Sequence, residues 1–94
     1  MAETKKIDEM LAGIGIPTHH KGFLYLREAI NLISRDPQMI NSLTKLYPTI
    51  AEKFNTQPHK VERIIRHAIF EGNRDADERP TNAEFMALIA DKID

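Results

Sequence analysis

Arg63 and Arg66 stand three residues apart in a segment, residues 50–67, that also carries Lys53, His59, Lys60, Glu62 and His67. A guanidinium is a planar fork of donors that stays charged at any physiological pH. It matches the O6/N7 edge of guanine or two oxygens of a phosphate. A carboxylate such as Glu62 accepts from the amino group of cytosine. Lysine, histidine and threonine side chains suit phosphate oxygens. The chemistry within reach is therefore recognition of a polyanion. From residue 53 to residue 67 the basic side chains meet a single acid, Glu62, whereas residues 71–84 hold Glu71, Asp75, Asp77, Glu78 and Glu84 against Arg74 and Arg79. The net charge of the 94 residues is −1, so the basic surface is local. A local patch on a neutral protein still steers an anion.

Other chemistry finds little in the sequence. There is no cysteine, which excludes disulfides, thiolate metal sites and thiol nucleophiles. His19 and His20 are adjacent, and neighbours on a helix diverge. No H-E-x-x-H spacing occurs, so neither a metal nor another cofactor is expected. Serine-hydrolase, phosphate-loop and dinucleotide glycine motifs are missing, and the expectation is a protein that is not an enzyme. No apolar run approaches the ~20 residues that cross a bilayer, and the start of the chain has no signal-peptide pattern. A cytoplasmic protein with no membrane partner is expected. At 94 residues and 41% apolar, the length suits one domain over residues 1–94.

The elements that must position these side chains read as helices. Ile7, Met10, Leu11 and Ile14 recur at helical spacing over residues 4–13, and Gly13, Gly15 and Pro17 end the run. A second helix covers residues 22–35, with Phe23, Leu26, Ile30 and Ile33 on its apolar stripe. Just before it, His19, His20 and Lys21 suit either a phosphate contact or a helix cap. A third helix is expected over residues 37–46, stopped by Tyr47-Pro48, and a short fourth over residues 48–54. Thr56 suits the cap of a helix over residues 57–71, ended by Gly72-Asn73. Residues 73–80 read as a charged loop. Thr81-Asn82-Ala83-Glu84 matches a capping box opening a last helix. Strand-like alternation is absent. The fold class is all-α, a small bundle of five to six helices.

Residues 48–70 fit a helix-turn-helix. Ala51 is small where two helices would touch, and Asn55 tolerates a positive φ in the turn. Ile50 and Phe54 face inward from one helix, Val61 and Ile64 from the next. At about 100° per residue, Val61, Ile64, Ile65, Ala68 and Ile69 share one face of the second helix. His59, Lys60, Glu62, Arg63, Arg66 and His67 share the other. That charged face has two readings. It is a solvated helix surface, in which Glu62 and Arg66 form an i,i+4 pair. Or it is a recognition surface, in which Glu62, Arg63 and Arg66 contact bases while Thr56, His59 and Lys60 hold phosphates. Phe70 falls near the polar side with no evident partner.

Several long strings resemble the C-terminal effector domain family of the master sporulation response regulator. They are residues 13–17 (GIGIP), 20–30 (HKGFLYLREAI), 47–56 (YPTIAEKFNT), 61–69 (VERIIRHAI) and 80–92, opening PTNAEF. The resemblance implies a six-helix fold. It also implies sequence-specific binding of double-stranded DNA at a promoter element with a TGTCGAA-like core. Glu62, Arg63 and Arg66 would read bases, and His59, Lys60 and His67 would hold the backbone, with a second copy on a tandem site. The family carries a phosphoacceptor receiver domain upstream, which this sequence does not show. It also has a longer stretch after the recognition helix, where contacts with RNA polymerase lie. Here only residues 70–79 separate Ile69 from Pro80. Binding without activation would make a competitor or repressor. The alternative from another class is a helical protein-interaction module of the same fold that has lost DNA binding, suggested by the acidic remainder, the short connection and Phe70.

Overall fold

The computed structural model describes residues 2–73 and 79–93, without the side chains of residues 2 and 3. The described residues form five α-helices and one 3₁₀ helix, with no strand. In order these are α1 (Ala2–Ile14), α2 (Lys21–Arg35), the 3₁₀ helix (Pro37–Asn41), α3 (Leu43–Lys53), α4 (Pro58–Gly72) and α5 (Asn82–Ile93). The all-α expectation and the helix count both hold. None of these helices is long and apolar enough to cross a membrane.

Helix α2 is the centre of the packing and touches every other element. Its buried residues are Gly22, Phe23, Tyr25, Leu26, Ala29, Ile30 and Ile33. They meet Ile7 and Leu11 of α1, Leu46 and Ile50 of α3, Val61, Ile65 and Ala68 of α4, and Phe85, Met86 and Ile89 of α5 in one apolar core. No polar or charged residue is buried among the described residues. Hydrophobic contact is therefore what fills the core between the helices. Polar pairs lie at the margin, as in the bidentate Arg27–Asp8 bond between α2 and α1 at 2.7 and 2.8 Å. The start of α2 is capped by His20, whose Nδ1 accepts from the Gly22 N–H at 2.9 Å. Of the two uses expected for residues 19–21, the cap is the one seen at His20.

Helix α2 crosses α4 at a point of very close approach. A Cβ built on Gly22 would lie 2.5 Å from the Ala68 Cβ and 3.1 Å from the Ile64 carbonyl oxygen. Only glycine fits there.

Several boundaries differ from the sequence reading. Helix α1 continues to Ile14, beyond the expected end at residue 13, and stops at Gly15 with φ 106°. Residues 37–54 are not two helices divided at Pro48. They form the 3₁₀ helix and then α3, which runs through Pro48 without interruption. Proline removes one backbone donor, so the turn before it loses a hydrogen bond. Burial of Leu46, Ile50 and Ala51 at helical spacing keeps both turns on one axis in spite of that loss. Thr56 is not the cap of α4 either. Gln57 occupies that position with no side-chain bond, and Pro58 fills the first turn, where no donor is needed. The expected loop over residues 73–80 lies mostly outside the described residues. The capping box is present: the Thr81 N–H donates to Glu84 Oε1 at 2.9 Å, and the Glu84 N–H donates to Thr81 Oγ1 at 3.1 Å.

Candidate nucleic-acid interface

The turn between α3 and α4 sets the direction of the candidate recognition helix. Asn55 takes φ 54°, the one positive φ among the described non-glycine residues. Its N–H donates to the Glu52 carbonyl at 3.4 Å, and the Thr56 N–H donates to the Ala51 carbonyl at 2.9 Å. This is a Schellman stop with asparagine in the left-handed position. Ala51, nearly fully buried, lets the chain turn back closely. Behind the turn, the Phe54 ring packs on Tyr25 with centroids 5.1 Å apart, which anchors it to α2.

Helix α4 buries Val61, Ile65, Ala68 and Ile69 against α2, α3 and α5. Its other face carries His59, Lys60, Arg63, Arg66 and His67, all exposed. Five of the seven expected contact residues thus share one open helix face. Lys60 and Arg63 have no ion pair among the described residues. Thr56 sits in the turn, half-buried, with its backbone engaged as above. Lys53, counted above with the basic residues, is committed elsewhere. Its Nζ bonds Glu28 Oε1 of α2 at 2.6 Å.

Glu62 is the exception on α4. It is half-buried and faces the joint between α3 and α5. Its Oε2 lies 3.4 Å from Arg66 Nε and 3.4 Å from Asn82 Nδ2. The same Asn82 amide donates to the Glu62 carbonyl at 3.3 Å and to the Tyr47 hydroxyl at 3.1 Å. Burial, with the nearby Glu62 charge, raises the Tyr47 phenol above its ordinary range despite the opposing Asn82 bond. Sequence reasoning missed Tyr47 and Asn82. Asn82 had one signal, its place immediately after the capping threonine, which fixes it at the start of α5.

Phe70 is 43% exposed, and the Arg79 guanidinium lies over its ring, 3.9 Å from the centroid. Beside this pair lies an open groove of about 480 Å³, lined by Tyr47, Glu62, Arg66, Phe70, Arg79 and Asn82 among others. Among the described residues, no group of three or more histidine or acidic side chains is placed to hold a metal ion.

The arrangement can hold an anionic ligand along α4 and present two guanidinium groups to planar acceptors. Residues 7–74 match the model described as "Sporulation initiation factor Spo0A C terminal". The match takes in α2, α3 and α4 and ends before α5. The chain therefore belongs to the family of the C-terminal domain of sporulation initiation factor Spo0A, a family of DNA-binding effector domains of transcription regulators.

Proposed function

We propose that this domain binds double-stranded DNA in a sequence-specific manner, with α4 seated in the major groove. The observation that carries the reading is the exposed row of His59, Lys60, Arg63, Arg66 and His67 on a helix whose opposite face is locked into the core. Arg63 and Arg66 each make bidentate contact with a guanine, and the free oxygen of Glu62 accepts from a cytosine amino group. Thr56, His59, Lys60 and His67 hold phosphates, and the first turn of α4 adds its own N–H groups. The site is a promoter element with a TGTCGAA-like core, and a second copy occupies a tandem site. The role is regulatory rather than enzymatic.

Fluorescence anisotropy tests this with two duplexes, one carrying the core and one scrambled, over a salt series. The expected result is a preference for the core, with affinity falling as salt rises. Arg63→Ala or Arg66→Ala should cost ~1–3 kcal/mol on the core duplex and little on the scrambled one. Lys60→Ala should weaken both equally and flatten the salt slope by about one. Equal, weak binding to both duplexes would defeat the proposal. It would favour the second reading, a protein-interaction module, to which the exposed Phe70 ring lends its support. On that reading, replacing Phe70 abolishes capture of the partner and Arg63→Ala does not.

A further inference from the structure

We infer that Asn82 is a positioning residue for base readout: through Glu62 it fixes the direction in which Arg66 presents its guanidinium. The inference rests on the DNA-reading role proposed for α4. It concerns a helix, α5, that lies beyond the residues matched to the family.

The chain of contacts crosses three helices. The reciprocal bonds of Thr81 and Glu84 fix where α5 begins and so fix the next residue, Asn82. The Asn82 amide has two hydrogens and three acceptors within reach: the Tyr47 hydroxyl, the Glu62 carbonyl and Glu62 Oε2. Two hydrogens are thus shared among three contacts, of which Tyr47 at 3.1 Å is the shortest and Glu62 Oε2 at 3.4 Å the longest. Glu62 is thereby drawn toward α5, and its Oε2 meets Arg66 Nε at 3.4 Å. Arg66 meets Glu62 in an ion pair whose close approach is at Nε, without a hydrogen bond, and its side chain remains 61% exposed. Both terminal amino groups are left for an outside acceptor. A guanidinium held by one edge keeps its fork in a defined direction and loses less rotamer freedom on meeting a guanine. Without Asn82, the Glu62–Arg66 contact is an ordinary exposed i,i+4 pair, which orients little.

The test compares the wild type with Asn82→Ala and Asn82→Asp. Aspartate keeps the shape, suits the start of a helix, and replaces the donor by a charge that repels Glu62. Circular dichroism melts establish that both variants are folded. Anisotropy is then read on the core duplex, on a scrambled duplex, and on a duplex altered at the base pair where Arg66→Ala loses its preference. Both variants should lose about threefold to tenfold of the preference at that pair, a part of what a full bidentate contact supplies. Affinity for scrambled DNA and the salt slope should stay unchanged. In an Arg66→Ala background, Asn82→Ala should have no further effect on preference. Independently of DNA, the Arg66 Nε–H resonance of the free domain should exchange faster with water in both variants. A preference at that base pair kept by both Asn82 variants, or lost equally with and without Arg66, overturns the inference while leaving the DNA-reading proposal standing. A wild type with no core preference overturns the DNA-reading proposal itself and the inference with it. The resonance experiment then reports whether the contact chain exists at all.

Discussion

Replacing Gly22 by alanine puts one methyl group where α2 and α4 are closest. Its Cβ would lie 2.5 Å from the Ala68 Cβ, 3.1 Å from the Ile64 carbonyl oxygen and 3.1 Å from His20 Nδ1. Non-bonded carbons rest at about 3.5–4.0 Å, so the helices must part by roughly 1 Å. Overpacking costs about 1–3 kcal/mol, and an approach of 2.5 Å places this case in the upper part of that range, about 2–3 kcal/mol. Alanine recovers at most about 1 kcal/mol through helix propensity. The expected net loss is about 1–2 kcal/mol, each kcal/mol lowering Tm by roughly 4–8 °C in a domain of this size. Urea unfolding followed by circular dichroism would be run on the wild type, Gly22→Ala, Ala68→Gly and the double variant. Ala68→Gly alone should cost about 1 kcal/mol in propensity. In the double variant it removes the clashing atom, so the combined loss should be clearly smaller than the sum of the two. A Gly22→Ala domain as stable as the wild type, or a cycle that is strictly additive, would refute the reasoning.

Three further outcomes follow from the turn, the cap and the joint. Asn55→Gly should leave stability unchanged or slightly higher. Asn55→Val should lower it by about 1–2 kcal/mol, because a β-branched residue resists positive φ; equal stability of the two variants in urea would be the contrary result. The bonds from the Thr81 N–H and hydroxyl hold the Glu84 carboxyl below its ordinary range. A depressed folded value means that its contribution is present above the ordinary glutamate range and is lost as pH falls through the folded one. The stability difference between the wild type and Glu84→Gln should therefore shrink in acid; a pH-independent difference would contradict this. Tyr47 is shifted the other way, its phenol raised chiefly by burial. Its contribution is present below the ordinary tyrosine range and declines as pH rises toward the folded value. In a Tyr25→Phe background, phenolate absorbance should appear at higher pH in the folded domain than in the urea-unfolded one.

What the sequence made legible was mostly local. The face of α4 followed from helical periodicity, because Val61, Ile65, Ala68 and Ile69 repeat at the spacing that a single buried stripe demands. Asn55 was legible because few residues other than glycine tolerate its φ, and the capping box because its partners are three residues apart. The misread elements were those where distant packing overrides a local rule. Pro48 carries a strong local signal to stop a helix, yet the burial of Leu46, Ile50 and Ala51 outweighs it. The joint was hidden for a related reason. Asn82 meets Tyr47 across 35 positions and Glu62 across 20, and no spacing rule links them. Lys53 counts with the basic residues of 53–67 in the sequence, but its partner, Glu28, lies on α2, 25 positions away.

If α4 reads DNA as proposed, that commitment of Lys53 bears on how the domain searches. With Lys53 paired with Glu28 and Arg66 in contact with Glu62, Lys60 and Arg63 are the lysine and arginine side chains of residues 53–67 that have no ion pair among the described residues. The hold on arbitrary sequence is electrostatic and grows with every phosphate neutralised. Few free cations mean brief dwell times, short slides and frequent release. Little of the protein is then sequestered by the bulk of the genome. On the proposed reading of α4, time spent at a site depends on the base contacts once they form, and so on how well α4 is aimed before it arrives.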